Sequence, residues 1–202
     1  MIRHLLVKVL FRVFLNREDY NVDKDTEGFI MNIYLTSGTP EFMDSLKAKH
    51  ENEKMFVLYG EGNAVLLHET AGKTVFSTPR KYEVIDSSGE LTDQGYYVFN
   101  NIPVTDEGRP IFEHRFSNRA RAIENEPGFI AIRVMRPVGS DTYIVLTEWT
   151  GAGSFQAWQN SQAYEKAHEK RGTAEGIDKA PNIFSSASYV TTYWTKHDDK
   201  DE

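Results

Sequence analysis

Apolar and polar positions alternate or cluster along the chain in a way that divides it into two blocks after residue 30. In the first block, 31–94, residues 32–37 read as a strand, and Gly38-Thr39-Pro40 as a turn. Phe42 and Leu46 lie one turn apart, which predicts a short helix over 41–51 with Thr39 as its cap. Residues 55–59 and 64–69 form a hairpin about Gly60-Glu61-Gly62-Asn63, and further short strands are expected at 73–76 and 82–85. The second block, 95–195, opens with a strand at 96–104. Asp106 caps the next helix, which carries Pro110 in its first turn and Phe112, Phe116, Ala120 and Ile123 on one face. Strands at 129–138 and 142–150, a helix over 154–170, a long polar loop at 172–187 and a last strand at 188–195 complete it. The order β-α-β-β-α-β is ferredoxin-like. The expected fold class is therefore α+β: a ferredoxin-like C-terminal domain with an N-terminal β-α-β-β-β block packed on it.

The ends of the chain have a different texture. Residues 1–30 combine an apolar run, interrupted by Arg3, His4, Lys8 and Arg12, with a polar, aperiodic stretch. The run falls short of the roughly 20 apolar residues of a bilayer span. One reading is a basic amphipathic anchor on a membrane surface; the reading adopted is a leader outside the fold, with Met31 as the natural start. Residues 196–202 are a charged tail.

Composition narrows the chemistry. The 202 residues include no cysteine, which excludes disulfides, thiolate metal sites and a cysteine nucleophile. A net charge of −7 argues against nucleic acid as a partner. Walker A, GxGxxG and GxSxG motifs are absent. Six histidines remain: His4, His50, His68, His114, His168 and His197, none in HExxH spacing. A single neutral His is still sufficient as an axial ligand of haem iron.

The segment from Thr147 to His168 reads Thr-Glu-Trp-Thr-Gly-Ala-Gly-Ser-Phe-Gln-Ala-Trp-Gln-Asn-Ser-Gln-Ala-Tyr-Glu-Lys-Ala-His. It resembles the signature of IsdG-type haem monooxygenases of the antibiotic-biosynthesis-monooxygenase (ABM) superfamily, roughly V-W-x-x-x-x-x-F-x-x-W-x-x-S-x-x-F-x-x-A-H. Trp149, Phe155, Trp158, Ser161, Ala167 and His168 fall in register, with Tyr164 in the aromatic slot. Asn100 matches the family's first-strand asparagine by position, and Asn101 is its rival. His68–Phe76, Pro79 and Tyr82–Ile85 are similar to the extra N-terminal block of the two-block HmoB subgroup.

The resemblance implies an ABM-type α+β barrel and a haem-degrading monooxygenase. Haem would be both cofactor and substrate, opened with O2 and an external electron donor, with release of iron. It implies His168 as the axial ligand of the haem iron, Asn100 as the distal hydrogen-bond donor and Trp158 as the residue that distorts the macrocycle. Arg115 and Arg119, one helical turn apart, are the basic residues available to propionates, or simply a solvated face. The partners implied are haem and a reductase or small reductant, in a cytoplasmic monomer without nucleic acid or membrane contact. Two rival readings stand beside it. One is a signalling regulator of the staphylococcal TRAP type, without haem turnover; the other is a cofactor-free ABM monooxygenase acting on a quinol or polyketide. On one straight helix Trp158 and His168 would lie about 15 Å apart and about 80° out of phase. A break at Asn160-Ser161, with Ser161 capping a second helix, would relieve this.

This division of the chain predicts that protein beginning at Met31 keeps the melting temperature and hemin affinity of the full chain. Calorimetry and absorbance titration of the two proteins check it.

Overall fold

In a computed structural model, residues 30–119, 121–168 and 182–195 are described, Ala167 and His168 by their backbone alone. The expectations for 1–29, 169–181 and 196–202 lie outside the described residues.

The first block supplies β1 (Asn32–Gly38), α1 (Pro40–Ala48), β2 (Met55–Tyr59), β3 (Ala64–Thr70) and β4 (Arg80–Ser88). α1 begins where Thr39 Oγ1 accepts the Phe42 N–H and Pro40 takes the first helical position, where its missing N–H costs little. The second block supplies β5 (Tyr96–Pro103), α2 (Arg109–Ser117), β6 (Phe129–Val138), β7 (Thr142–Trp149), α3 (Ala152–Gln159), α4 (Gln162–His168) and β8 (Tyr189–Trp194).

The blocks do not stack as separate layers. Their strands join edge to edge in one closed antiparallel barrel, ordered β1-β3-β2-β8-β5-β7-β6-β4. Read half by half, each block has the same internal strand order, fourth-first-third-second. The ferredoxin-like unit is thus met by a topological copy of itself that lacks the second helical segment. One seam is long, pairing β4 with β6 from Lys81–Val138 to Ser88–Ile132. The other, between β2 and β8, pairs Tyr59 with Trp194.

Side chains alternate across each strand, so one set from both blocks fills the barrel. Ile33, Leu35, Phe56, Leu58, Val65 and Leu67 meet Tyr97, Phe99, Ala131, Met135, Ile144 and Leu146 there. Outside, Tyr34, Met43, Met55, Leu66 and Phe76 pack beneath α1. Phe112 of α2 packs with Val104, Tyr143 and Ile183 on the other block.

Three expectations need correction. Residues 73–76 are not a strand: Thr74 Oγ1 accepts the Phe76 N–H at 3.2 Å and pairs with His68 Nδ1 at 3.1 Å, turning Phe76 into the apolar cluster. The helix expected to reach Ile123 stops at Ser117, because Asn118 Nδ2 donates to the His114 carbonyl and Arg121 adopts a left-handed φ of 54°. Asp106 does not cap its start: Gly108 holds the cap position without a side-chain bond, Thr105 Oγ1 accepts the Gly108 N–H at 3.0 Å in the turn before it, and Asp106 pairs with Arg109.

One mouth of the barrel is sealed by buried charge. Arg133 Nε of β6 meets Glu69 Oε1 of β3 at 2.6 Å, and Lys54 approaches the second Glu69 oxygen at 2.7 Å. Arg133 Nη1 also donates to the carbonyls of Ser88 and Gly89, at 3.2 and 3.0 Å. The connection from β4 to β5 then crosses the mouth. Leu91 enters the core, the Thr92 N–H and hydroxyl donate to buried Glu148, and the Tyr97 hydroxyl donates to the Thr92 carbonyl at 2.7 Å. Gly89 makes the turn at φ +68°, where an added Cβ would lie 2.0 Å from the Ile130 carbonyl oxygen.

Removing one member of a buried pair leaves the other charge uncompensated. Glu69→Leu is expected to cost about 3–5 kcal/mol in urea unfolding. Adding Arg133→Met should recover a substantial part of that loss.

Candidate functional site

β5 decides which asparagine reaches which side of the sheet. Tyr97 and Phe99 face the barrel core, and Asn101 follows them, 4% exposed. Its Nδ2 donates to the carbonyls of Phe99 (3.1 Å) and Tyr189 (3.3 Å) and to Thr191 Oγ1 (3.3 Å). Asn100 takes the opposite face. It is half-buried between Val98 and Ile102 and pairs with Val145 of β7 and Val190 of β8. That face carries the helices: Ile102 joins the Phe112–Tyr143 cluster, and Tyr96 meets Phe155 of α3 at 6.2 Å. Asn100 therefore lies between α2 at one end of β5 and α3 at the other. Val98 is buried beside it, Val145 is half-buried and Val190 is 55% exposed, so Asn100 is the one carboxamide in an apolar strip of this part of the sheet.

The helical segment after β7 is broken where the sequence allows it. The Ser161 N–H donates to the Trp158 carbonyl at 2.9 Å, and Ser161 Oγ accepts the Tyr164 N–H at 3.2 Å. Ser161 thus caps α4 and ends the constraint of a single straight helix. The segment is docked onto the sheet at Gly128, which adopts φ +79°; a Cβ there would lie 2.3 Å from Ser154 Oγ.

Trp158 is half-buried in an aromatic cluster. Its ring centroid is 5.4 Å from Trp149, 5.8 Å from Phe155 and 4.9 Å from Tyr164, which meets it edge-on at 86°. Trp149 beneath is fully buried and donates its indole N–H to Thr147 Oγ1 at 2.9 Å. His168 closes α4, and its side chain lies outside the described residues. The backbone thus carries Asn100, Trp158 and His168 on elements of the same block, and the described side chains bring Trp158 against the face that Asn100 shares.

The arginines expected near an anion divide. Arg119 is committed to carboxylates, with Nε on Asp86 and Nη2 2.7 Å from Glu124. Arg115 is exposed on α2. A separate depression of about 270 Å³ lies between α2 and β4 and is lined by Asp86, Glu113, His114 and Arg136 among others. Its charges neutralise one another: Arg136 bonds Glu113, holding that carboxyl below its usual range, and Tyr143 also donates to it. His68 is likewise internal. It is wholly buried, with Nδ1 on Thr74 and Nε2 3.0 Å from Glu53, and burial pushes its pKa down. Among the described residues no three His, Asp or Glu side chains are placed to hold a metal ion, and no helix is long and apolar enough to cross a membrane.

Sequence reasoning took Trp149 only as a motif position and gave Tyr96 and Trp194 no part. Local pattern could not have found them as a group, because the register that sets Trp194 opposite Tyr96 and Tyr96 opposite Trp149 joins positions far apart in the chain.

Residues 95–170 match the family model for antibiotic biosynthesis monooxygenase, ABM. The ABM match spans β5 through α4, the elements that carry Asn100, Trp158 and His168. The chain is also similar to the signal transduction protein TRAP of Staphylococcus epidermidis, 22% identical over 167 residues that cover 83% of this chain and 96% of that protein. Among solved structures, a major regulator of staphylococcal pathogenesis superposes with a TM-score of 0.73 at 22% identity, over 83% of this chain and all of that one. The heme-degrading enzyme LmHde from Listeria monocytogenes superposes with a TM-score of 0.61 at 19% identity, over 82% and 99%. The fold is the ferredoxin-like α+β fold of the ABM type, with the family match confined to the second block.

The two asparagines should separate in stability. Asn101→Ala removes a buried donor serving three acceptors and is expected to cost about 1–3 kcal/mol. Asn100→Ala should stay within about 0.5 kcal/mol of the parent. Thermal unfolding of the two variants checks this.

Proposed function

We propose that this protein is a haem-degrading monooxygenase that binds haem on the outer face of β5 and β7, beside α3 and α4. The observation that carries the reading is the register of β5. Asn100 stands on the helix-bearing face among Val98, Val145 and exposed Val190, while the amide of Asn101 is consumed inside the barrel. An apolar strip with one carboxamide suits a flat, largely apolar macrocycle that needs one directed donor. Support also comes from the ABM match and from the shared fold of a heme-degrading enzyme.

Bound haem would supply the redox iron at which O2, with electrons from an external donor, is turned against the porphyrin ring. The chain's own residues do the rest. His168 would offer a neutral ring nitrogen to the iron, Asn100 would aim an N–H across the face, and Val98 and Val145 would exclude water. Trp158, braced by Trp149 and Tyr164, would press on the macrocycle, distortion being a recognised lever on haem. Both halves of the barrel come from one chain, with one Asn/Trp/His set, so the working unit of this reading is a monomer made of the blocks 31–94 and 95–195.

A second reading, a signalling regulator without haem turnover, is favoured by the similarity to TRAP along nearly that protein's whole length. The two separate in one experiment: protein, hemin, ascorbate and catalase are mixed, and the Soret band is followed while products are identified by mass. Stoichiometric binding and loss of the band are expected. His168→Ala should lose the His-ligated spectrum. Asn100→Ala should bind hemin and degrade it about 10²–10³ times more slowly, the usual cost of one well-aimed donor. No hemin binding by the parent protein would overturn the haem reading in favour of the regulator.

A further inference from the structure

Four aromatic side chains stand in one row across the sheet. Trp194 of β8 is opposite Tyr96 of β5, Tyr96 is opposite Trp149 of β7, and Trp149 is opposite Phe129 of β6. The rings of Trp194 and Tyr96 are 4.7 Å apart. Phe155 of α3 lies over the next gap, 6.2 Å from Tyr96 and 6.0 Å from Trp149. Trp158 follows, 5.4 Å from Trp149. The path begins beside the face that holds Asn100 and passes through a ring with no solvent exposure. It ends at Trp194, which is 45% exposed.

We propose that Trp158, Trp149, Tyr96 and Trp194 form a relay that carries single oxidising equivalents from the haem face to the protein surface. Indole and phenol are the rings in proteins that give up one electron most readily, and here they are in contact or separated by a single phenylalanine ring. The indole N–H of Trp149 is held by the Thr147 hydroxyl, a weak base. Trp149 therefore keeps its proton when oxidised and passes the charge on. Trp194 reaches solvent, which can take its indole proton.

A one-electron oxidant at the haem face, such as haem oxidised by peroxide, takes one electron from Trp158. The vacancy moves through Trp149 and Tyr96, whose phenolic proton leaves to water and returns as Tyr96 is reduced again. Trp194 finally loses an electron and its indole proton. A small reductant such as ascorbate restores both, so the net transfer is one electron from ascorbate to the oxidant. The relay would drain oxidation events that miss the porphyrin before they damage the buried rings around Trp158.

The source of the oxidant rests on the haem reading; the Trp194–Tyr96 link does not, and two arms keep them apart. In the first, protein without haem is exposed to azide radicals by pulse radiolysis, which oxidises accessible tryptophan. Entering at exposed Trp194, the indole radical should equilibrate with a tyrosyl radical at a rate independent of protein concentration, which reads the Trp194–Tyr96 link in reverse, and Tyr96→Phe should slow that decay several-fold. In the second, hemin-loaded protein is treated with hydrogen peroxide without reductant, and oxidised residues are located by peptide mass spectrometry. Trp194 should be modified in the parent. In Tyr96→Phe, modification should shift from Trp194 to Trp149 and Trp158. Unchanged radical decay in the first arm, or equal oxidation of Trp194 with and without Tyr96 in the second, overturns the relay. Hemin binding measured on the same samples reports separately on the haem reading.

Discussion

The ion pair between Arg133 and Glu69 is the constraint on which the barrel depends. The two residues belong to different blocks and to strands that are not neighbours, and both are almost wholly buried. A guanidinium in that position is tolerable only when its donors are met. They are met by a carboxylate from β3 and by the carbonyls where β4 ends. Any slip of β6 against β4 would strand the charge, so the pair locks the long seam in register. The same lock holds the connection that follows Gly89 across the mouth, where Thr92 satisfies the buried Glu148.

With the barrel closed, the difference between its halves becomes the basis of the site. The outer face of the first block is filled by its own chain: Phe76 and the buried His68 occupy the space beneath α1, tied by Thr74 and Glu53. The matching face of the second block is spanned by α2 and by the broken pair α3 and α4, and Asn100 and Val190 lie between them. The fold repeats, but the covering does not. This places the candidate chemistry in one half and gives the other a supporting part.

Most strands were legible because their alternation is strong and their boundaries are marked by Gly, Pro and Asn. The break at Ser161 was legible for the same kind of local reason, a hydroxyl three residues before the N–H it accepts. Residues 73–76 misled because Thr-Val-Phe has strand propensity, whereas the deciding bonds run from Thr74 to His68 and Phe76. The spacing of Phe112, Phe116, Ala120 and Ile123 continues past the point where Asn118 ends the helix. The edge-to-edge joining of the two blocks and the Glu69–Arg133 pair were not legible in the hydrophobic pattern, although the family resemblance implied a barrel. Both arise between positions far apart in the chain, where local pattern carries no information. The choice between Asn100 and Asn101 needed the observed register of β5, although alternation alone required that they part.

The matching strand order of the two halves has an evolutionary consequence. When such a barrel is assembled from two identical chains, every substitution is made twice, and a change that sharpens one face disturbs its twin. Covalent fusion breaks that symmetry. Here one half could fill its outer face with packing around His68 while the other accumulated a row of aromatic rings. Selection on stability and selection on chemistry could then proceed on separate stretches of one gene.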